Sequence, residues 1–239
     1  MRRQLISVNP ALQVELPRQD RKAAAVWTPA QLSEFLTAIR TDRLYALYHL
    51  VALTGLRRGE VLGLRWSDVD LERRLLFINQ QVVQVGRATH IGPPKTSRGR
   101  RVVPLDAGTA ALLELHRREQ QQGRQVWGAA WTGTGMVFTR EDGTPLSPDY
   151  LTRRFKSLVK TAGVPPIRFH GLRHTSASLA LAAGVAMKVV SERLGHSAIA
   201  ITADLYTHVA PTVAQDAADA IARMVHPPGG APDSPTLTT

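Results

Sequence analysis

Residues 169–209 read FHGLRHTSASLALAAGVAMKVVSERLGHSAIAITADLYTHV. Two glycines divide the run, and glycine favours the left-handed conformation that ends a helix. The spacing therefore predicts helices over 170–183, 186–194 and 198–207, with Gly184 and Gly195 as the stops. His170 and Arg173 stand three apart, which puts both on one helical face. Leu194-Gly195-His196 closes the second helix, and Tyr206 follows ten residues after His196. Ile201, Leu205 and Val209 recur at i, i+4 and i+8, a stripe that would bury one side of the last helix and anchor the Tyr206 ring beside it.

Working outward, the upstream half offers further helices and a β-prone middle. Thr28-Pro29-Ala30-Gln31 is a helix start, with Thr28 as cap, Pro29 in the first turn and Gln31 completing a capping box. A strongly apolar second helix is expected over 43–54, closed by Gly55. Leu56-Arg57-Arg58-Gly59-Glu60 then turns into a short third helix over 60–64. Residues 75–79, 81–85, 89–91 and 101–105 are β-prone, and 93–99 (PPKTSRG) is a basic, turn-rich loop. These segments read as a small antiparallel three-stranded sheet with an exposed hairpin carrying Lys95. Asp106 caps a helix to about 122, a loose segment covers 123–135, and Ser147-Pro148 opens a helix to Ala162. The expected fold class is mainly α with a small antiparallel three-stranded sheet (α+β). Residues 1–27 read as the end of an earlier unit and a linker, 211–226 as a C-terminal amphipathic helix, and 227–239 as a disordered tail.

The chain has 239 residues and a net charge of +11, with a sequence pI near 10.9. That excess favours a polyanionic partner, most simply nucleic acid. The charge is clustered: 73–105 and 150–191 each hold seven Lys or Arg and no Asp or Glu. Two acid-free blocks resemble a phosphate-facing surface more than a mixed solvated one. Cysteine is absent, so disulfides, thiolate zinc sites and cysteine nucleophiles are excluded. The N-terminal stretch lacks a signal peptide's apolar core, and no apolar run reaches the roughly 18 residues a membrane span needs. The expected location is the cytoplasm and, with a nucleic-acid partner, the nucleoid.

Basic and hydroxyl side chains at these spacings suit attack on a phosphodiester by a tyrosine. The non-bridging oxygens need charge neutralisation, and the planar forks of Arg57 and Arg173 can each donate two hydrogen bonds to a phosphate. A tyrosine needs a base or strong positive potential, since its ordinary pKa is about 10. Each residue also has an ordinary reading: Tyr206 as a helix-edge residue, each histidine as structural or solvated, Lys95 as a solvated loop lysine. His170 and His174, at i and i+4, raise zinc as a rival, but the glutamate of a zinc-peptidase helix is replaced by Gly171. No phosphate-binding G-x-x-x-x-G-K-[ST] loop and no G-x-S-x-G elbow occurs.

Taken together, these motifs resemble the tyrosine recombinases, also called the phage integrase family. Residues 54–60 (TGLRRGE) are similar to the family's first arginine box, with Arg57 its arginine and Glu60 its bracing acid. Pro94-Lys95-Thr96, ahead of 101–105 (RVVPL), resembles the sheet lysine segment. His170-Gly171-Leu172-Arg173 is similar to the H-x-x-R box, Leu194-Gly195-His196 to the next, and 204–209 (DLYTHV) to the nucleophile box. The resemblance implies a site of Arg57, Lys95, His170, Arg173, His196 and Tyr206. Tyr206 would attack the scissile phosphate, Arg57, Arg173 and His196 would stabilise it, His170 would take the tyrosine proton, and Lys95, reaching into the minor groove, would protonate the leaving oxygen. No cofactor, metal or ATP is implied, because the covalent link conserves the bond energy. The implied partners are double-stranded DNA attachment sites, further copies of the chain in a homotetramer on DNA (a monomer when free), and a directionality factor, with no membrane.

Family members carry a core-binding domain ahead of the catalytic one, and this sequence starts at what resembles its last residues. The expectation is a catalytic domain over 28–210 with weaker, more salt-sensitive DNA binding than a longer relative. The alternative is a non-catalytic DNA-binding fragment of a truncated recombinase. A type IB topoisomerase uses nearly the same groups, but its tyrosine context differs from 204–208 here.

Overall fold

The computed structural model describes residues 25–86, 88–94 and 99–196. Lys95, Tyr206 and the expected helices over 198–207 and 211–226 lie outside these residues, as do 1–24 and 227–239.

The chain order is α1 (Pro29–Ala38), α2 (Tyr45–Thr54), α3 (Arg58–Gly63), β1 (Val69–Asp70), β2 (Leu75–Ile78), β3 (Gln81–Val85), β4 (Ala88–Gly92), β5 (Arg101–Pro104), α4 (Ala107–Trp127), α5 (Pro148–Ala162), α6 (Phe169–Ala182) and α7 (Met187–Leu194). The caps are those the sequence offers. Thr28 and Gln31 form a reciprocal capping box on α1, Asp106 accepts from Thr109 N on α4, and Ser147 accepts from Tyr150 N on α5. Each satisfies a backbone N–H that the first helical turn leaves without a partner.

The core is aromatic at its centre. Trp27, Phe35, Tyr48, Phe155 and Phe169 bring α1, α2, α5 and α6 together with ring centroids 4.9–6.3 Å apart. Trp27, assigned to a linker by the sequence, is only 2% exposed. Its indole N–H donates to Pro165 O at 2.8 Å and its backbone N–H to Thr175 Oγ1 at 3.0 Å. A second, smaller cluster of Ala177, Leu181, Val190 and Leu194 packs α6 on α7.

The expected small antiparallel three-stranded sheet forms, but the strands flanking Lys95 are not paired with each other. Two ladders form: an antiparallel sheet in the order β1-β2-β5, and a separate β3-β4 hairpin. β4 and β5, the strands that flank Lys95, pair with different partners. β4 folds back on β3 with Val85 opposite Ala88, and Gly86 after β3 has φ 59°. Strands so near in sequence pair at a smaller loop-closure cost than strands joined by a longer loop. β5 instead lines β2, with Leu76 opposite Val103 and Ile78 opposite Arg101. A second correction concerns the segment from Gly123, expected to be loose: α4 runs on to Trp127.

Two close approaches position α3. A Cβ at Gly59 would lie 2.5 Å from Val82 O, and one at Gly63 would lie 2.9 Å from Gln81 Cα. Side chains there would push α3 off β3, so the sequence uses glycine. The start of α3, and with it Arg57, is thereby fixed against the hairpin.

Candidate active site

Arg57 is the N-cap of α3, in extended conformation at φ −70°, ψ 151°. Glu60, one turn on, reaches back: its Oε2 accepts from Arg57 N at 2.8 Å and its Oε1 from Arg57 Nη1 at 2.7 Å. Glu60 is 1% exposed. A carboxylate so buried needs compensating charge, and Arg101 supplies it with a second fork, Nη1 to Oε1 at 3.0 Å and Nη2 to Oε2 at 2.9 Å. Burial alone would raise the Glu60 pKa, but hydrogen bonding to Arg101 and the charges of Arg101 and Arg57 outweigh it and hold it at about 2.

Arg173 enters the same region from α6 and is 2% exposed. Its Nη1 donates to Gly55 O and its Nη2 to Leu194 O, both at 2.8 Å. Gly55 ends α2 at φ 68°, and a Cβ there would lie 2.3 Å from Leu194 Cδ2. Glycine at this position therefore supplies both the turn and the room for α7. Burial, followed by the positive charge of Arg57, lowers Arg173 to about 9, which leaves it protonated at neutral pH.

The C-terminus of α7 is held by three different guanidiniums. Arg101 Nε donates to Arg193 O at 2.7 Å, Arg173 Nη2 to Leu194 O at 2.8 Å, and Arg57 Nη2 to Gly195 O at 2.7 Å. Carbonyls at a helix C-terminus carry partial negative charge and have no partner inside the helix, so cations suit them. Gly195 turns the chain with φ 68°, and His196 follows with its amide donating to Ser191 O at 3.1 Å. His196 is buried at 8% exposure. Desolvation first, then the charges of Arg173 and Arg57, lower its pKa to about 4, so the ring is neutral at pH 7.

His170 sits in the first turn of α6, and its ring meets that of His174 edge-on with centroids 4.7 Å apart. Desolvation of the ring, then His174, Arg173 and Arg57, push His170 below the ordinary histidine range. The residue keeps solvent access, which weakens each of these effects without changing their direction. The fold thus brings Arg57, His170, Arg173 and His196 into one electrostatic neighbourhood. Arg57, with 35% of its side chain exposed, is the more solvent-facing of the two arginines. Lys95 and Tyr206 lie outside the described residues.

One contributor escaped the sequence reading. Arg101 was read only as part of a strand. Strand alternation puts it on the face of buried Val103, and that was the available signal. His174 closes the stretch that resembles the H-x-x-R box and in the sequence raises zinc; in the structure its ring packs on His170. Among the described residues no group of three or more His, Asp or Glu is arranged to hold a metal ion.

Lys156 and Arg168 line a cavity together with His170. Arg153, Lys160 and Lys188, from the same acid-free block, are also exposed. A buried Arg–Glu–Arg bridge, a part-exposed Arg57 and neutral histidines, with Lys156 and Arg168 beside His170, are suited to holding an anionic group such as a phosphodiester.

Comparison with known proteins places the chain in a class. The phage integrase family model matches residues 26–212, and the chain belongs to that family. It is 37% identical over 193 residues to a tyrosine recombinase XerC-like protein of Caldanaerobacter subterraneus subsp. tengcongensis, covering 76% of this chain and 49% of the relative. It is 28% identical over 218 residues to the ICEBs1 integrase of Bacillus subtilis, covering 90% and 59%. The chain thus spans about half the length of the first of these curated relatives. In fold it is similar to the Tn1549 transposon integrase solved with transposon right end DNA, at TM-score 0.72 and 24% identity over 85% of this chain and 68% of that one. XerA recombinase is similar at TM-score 0.64 and 22% identity, over 86% and 66%. No described helix is long and apolar enough to cross a membrane.

Proposed function

We propose that residues 28–210 form the catalytic domain of a site-specific DNA recombinase that cuts and rejoins strands through a 3′-phosphotyrosyl intermediate. The observation that carries this reading is the gathering of Arg57, His170, Arg173 and His196, from three separated sequence motifs, into one electrostatic neighbourhood. Membership of the phage integrase family supports it, as does the exposed basic surface.

In this mechanism the Tyr206 hydroxyl oxygen bonds to phosphorus while the bond from phosphorus to the 5′-oxygen breaks. The tyrosine proton passes to neutral His170, and Lys95 gives a proton to the departing 5′-oxygen. Arg57 and Arg173 donate to the non-bridging oxygens as charge builds, and His196 donates one further hydrogen bond. Each arginine has N–H groups beyond those engaged with Glu60 and backbone carbonyls. The 5′-hydroxyl of a partner strand then attacks the phosphotyrosine, restoring the tyrosine and completing exchange. Bond energy is retained in the covalent link, so the steps call for neither ATP nor a metal ion. A tetramer on paired duplexes, a directionality factor and association with the nucleoid belong to the same proposal. Of these, the tetramer alone draws support, from the similar fold of a lambda integrase tetramer bound to a Holliday junction, with TM-score 0.56.

The test is a pool of nicked duplexes of varied sequence incubated with the protein in a chelator. A covalent protein–DNA adduct on a denaturing gel, absent with Tyr206→Phe, is the expected result. An adduct that survives Tyr206→Phe would remove that residue from its role. No adduct on any duplex, with DNA still bound, would instead favour a domain that only occupies DNA.

A further inference from the structure

We propose that Arg101 is a positioning residue for strand cleavage: through Glu60 it fixes Arg57, and through the Arg193 carbonyl it fixes the turn that presents His196. The proposal rests on the strand-cleavage reading above and adds a residue outside the six that reading uses.

The geometry is specific. Glu60 has two oxygens, and each is bonded to both arginines. Oε1 accepts from Arg57 Nη1 and Arg101 Nη1, and Oε2 from Arg57 N and Arg101 Nη2. Four donors saturate a carboxylate's acceptor directions. The carboxylate therefore has one orientation, and it transmits that orientation to Arg57 at both backbone and side chain. With Arg101 removed, half of these bonds disappear from a group that is 1% exposed, and the carboxylate loses the donors that fix its orientation.

The third donor extends the reach. Arg101 Nε binds Arg193 O, the first of the three successive carbonyls that Arg101, Arg173 and Arg57 hold. An arginine that merely balanced a buried charge would leave this atom elsewhere. Here one planar fork aligns β5, α3 and the end of α7 at once, which the point charge of a lysine does not do. Four of the five Arg101 N–H groups are engaged within the protein, with both Glu60 oxygens, Gly99 O and Arg193 O, whereas Arg173 has two engaged, so Arg101 acts through other groups rather than on DNA.

The charged groups facing Glu60 are Arg57 from the start of α3 and Arg101 from β5, with Arg173 and His170 of α6 within electrostatic range. Only the first two are bonded to it among the described residues. Arg101 thus supplies two of the four bonds that hold the brace in place.

The experiment uses Arg101→Lys, Arg101→Gln, Glu60→Gln and the Arg101→Gln/Glu60→Gln double variant. Two readouts are taken: guanidinium rotation of Arg57 in the DNA-free protein by ¹⁵N side-chain NMR, and adduct formation on nicked duplex at saturating protein. The Arg57 resonance is identified by its loss in Arg57→Lys. In the wild type, rotation of the Arg57 guanidinium is slow, and in Arg101→Lys it is fast. DNA affinity in Arg101→Lys stays within about twofold while the single-turnover rate falls on the order of 100-fold, as expected for misplacement rather than lost binding. The double variant is no slower than Glu60→Gln within about threefold, because the two residues act as one unit. Unchanged Arg57 rotation in both Arg101 variants, or rate losses that multiply in the double variant, would overturn the proposal. If Arg101→Gln does not fold, Arg101→Lys and the near-isosteric Glu60→Gln decide it. A wild type that forms no adduct defeats the strand-cleavage reading instead, and Arg57 rotation still decides whether Arg101 positions it.

Discussion

At its first turn helix α6 packs Phe169 among the rings of Tyr48 and Phe155. One turn later the same helix sends Arg173 into backbone carbonyls at the ends of α2 and α7. Both interiors are closed to solvent, but they are held by different physics. The aromatic cluster is stabilised by apolar burial and dispersion, which depend on volume and hardly on angle. The arginine clamp depends on donors aimed at acceptors, where an ångström or a lost proton matters and an orphaned partner costs more than the bond was worth. The first interior gives the domain most of its stability. The second gives little net stability and fixes where a few atoms sit.

This contrast can be broken by substitution, beginning with the largest effect. Phe155→Ala removes a side chain that touches Trp27, Phe35, Tyr48 and Phe169, and we expect a loss of about 3–5 kcal/mol in urea unfolding. A loss below about 1 kcal/mol would mean that the cluster collapses around the gap. Gly55→Ala comes next. It combines left-handed strain of about 1–2 kcal/mol with a Cβ that overlaps Leu194, so a stability loss of about 2 kcal/mol should accompany broadened His196 signals. Wild-type signals with this substitution would show that the turn relaxes without moving α7.

Acid should separate the two interiors. His170, His174 and His196 all have pKa values lowered by burial and neighbouring cations. In the unfolded chain they titrate near 6.5, so below that value the unfolded state binds more protons, down to about 4 for His170 and His196. The stabilisation is complete above about pH 6.5 and is lost as pH falls toward 4. Below that, Glu60 adds a second loss as protonation approaches its folded pKa of about 2. Melting temperature should therefore drop between pH 7 and 4.5 in the wild type, and drop less in His196→Asn. A flat profile over that range would contradict the neutral-histidine site. The smallest expected change is at Arg118, which pairs with Glu114 one turn away on the exposed side of α4. Arg118→Gln should cost about 0–1 kcal/mol and leave DNA-free spectra of the clamp unchanged.

How much of this was legible beforehand follows the same division. Helix ends were readable because capping chemistry is local: Thr28, Ser147, Gly55, Gly163 and Gly195 all act where the sequence places them. The histidines and two arginines of the site were readable as spaced motifs. Arg101 was not, because its partner Glu60 is 41 residues away and no local pattern marks a strand residue that faces inward to an acid. The pairing of β5 with β2, rather than with β4, is likewise a choice between turns of different length. Trp27 was misread because its burial depends on α5 and α6, which close over it from more than a hundred residues downstream. Gly123 looked like a break, yet α4 continues through it, glycine costing only about 1 kcal/mol in a helix.

The clamp on α7 has a kinetic consequence. Arg193, Leu194 and Gly195 carbonyls are each tied to a side chain from a different element, namely β5, α6 and the α2–α3 turn. A helix end would ordinarily fray by itself within the native state. Here fraying requires that three separate elements release their hold together, so local opening is converted into a cooperative event. In deuterium exchange, the amides of Gly195 and His196 should open with the interior of the domain and not with its surface.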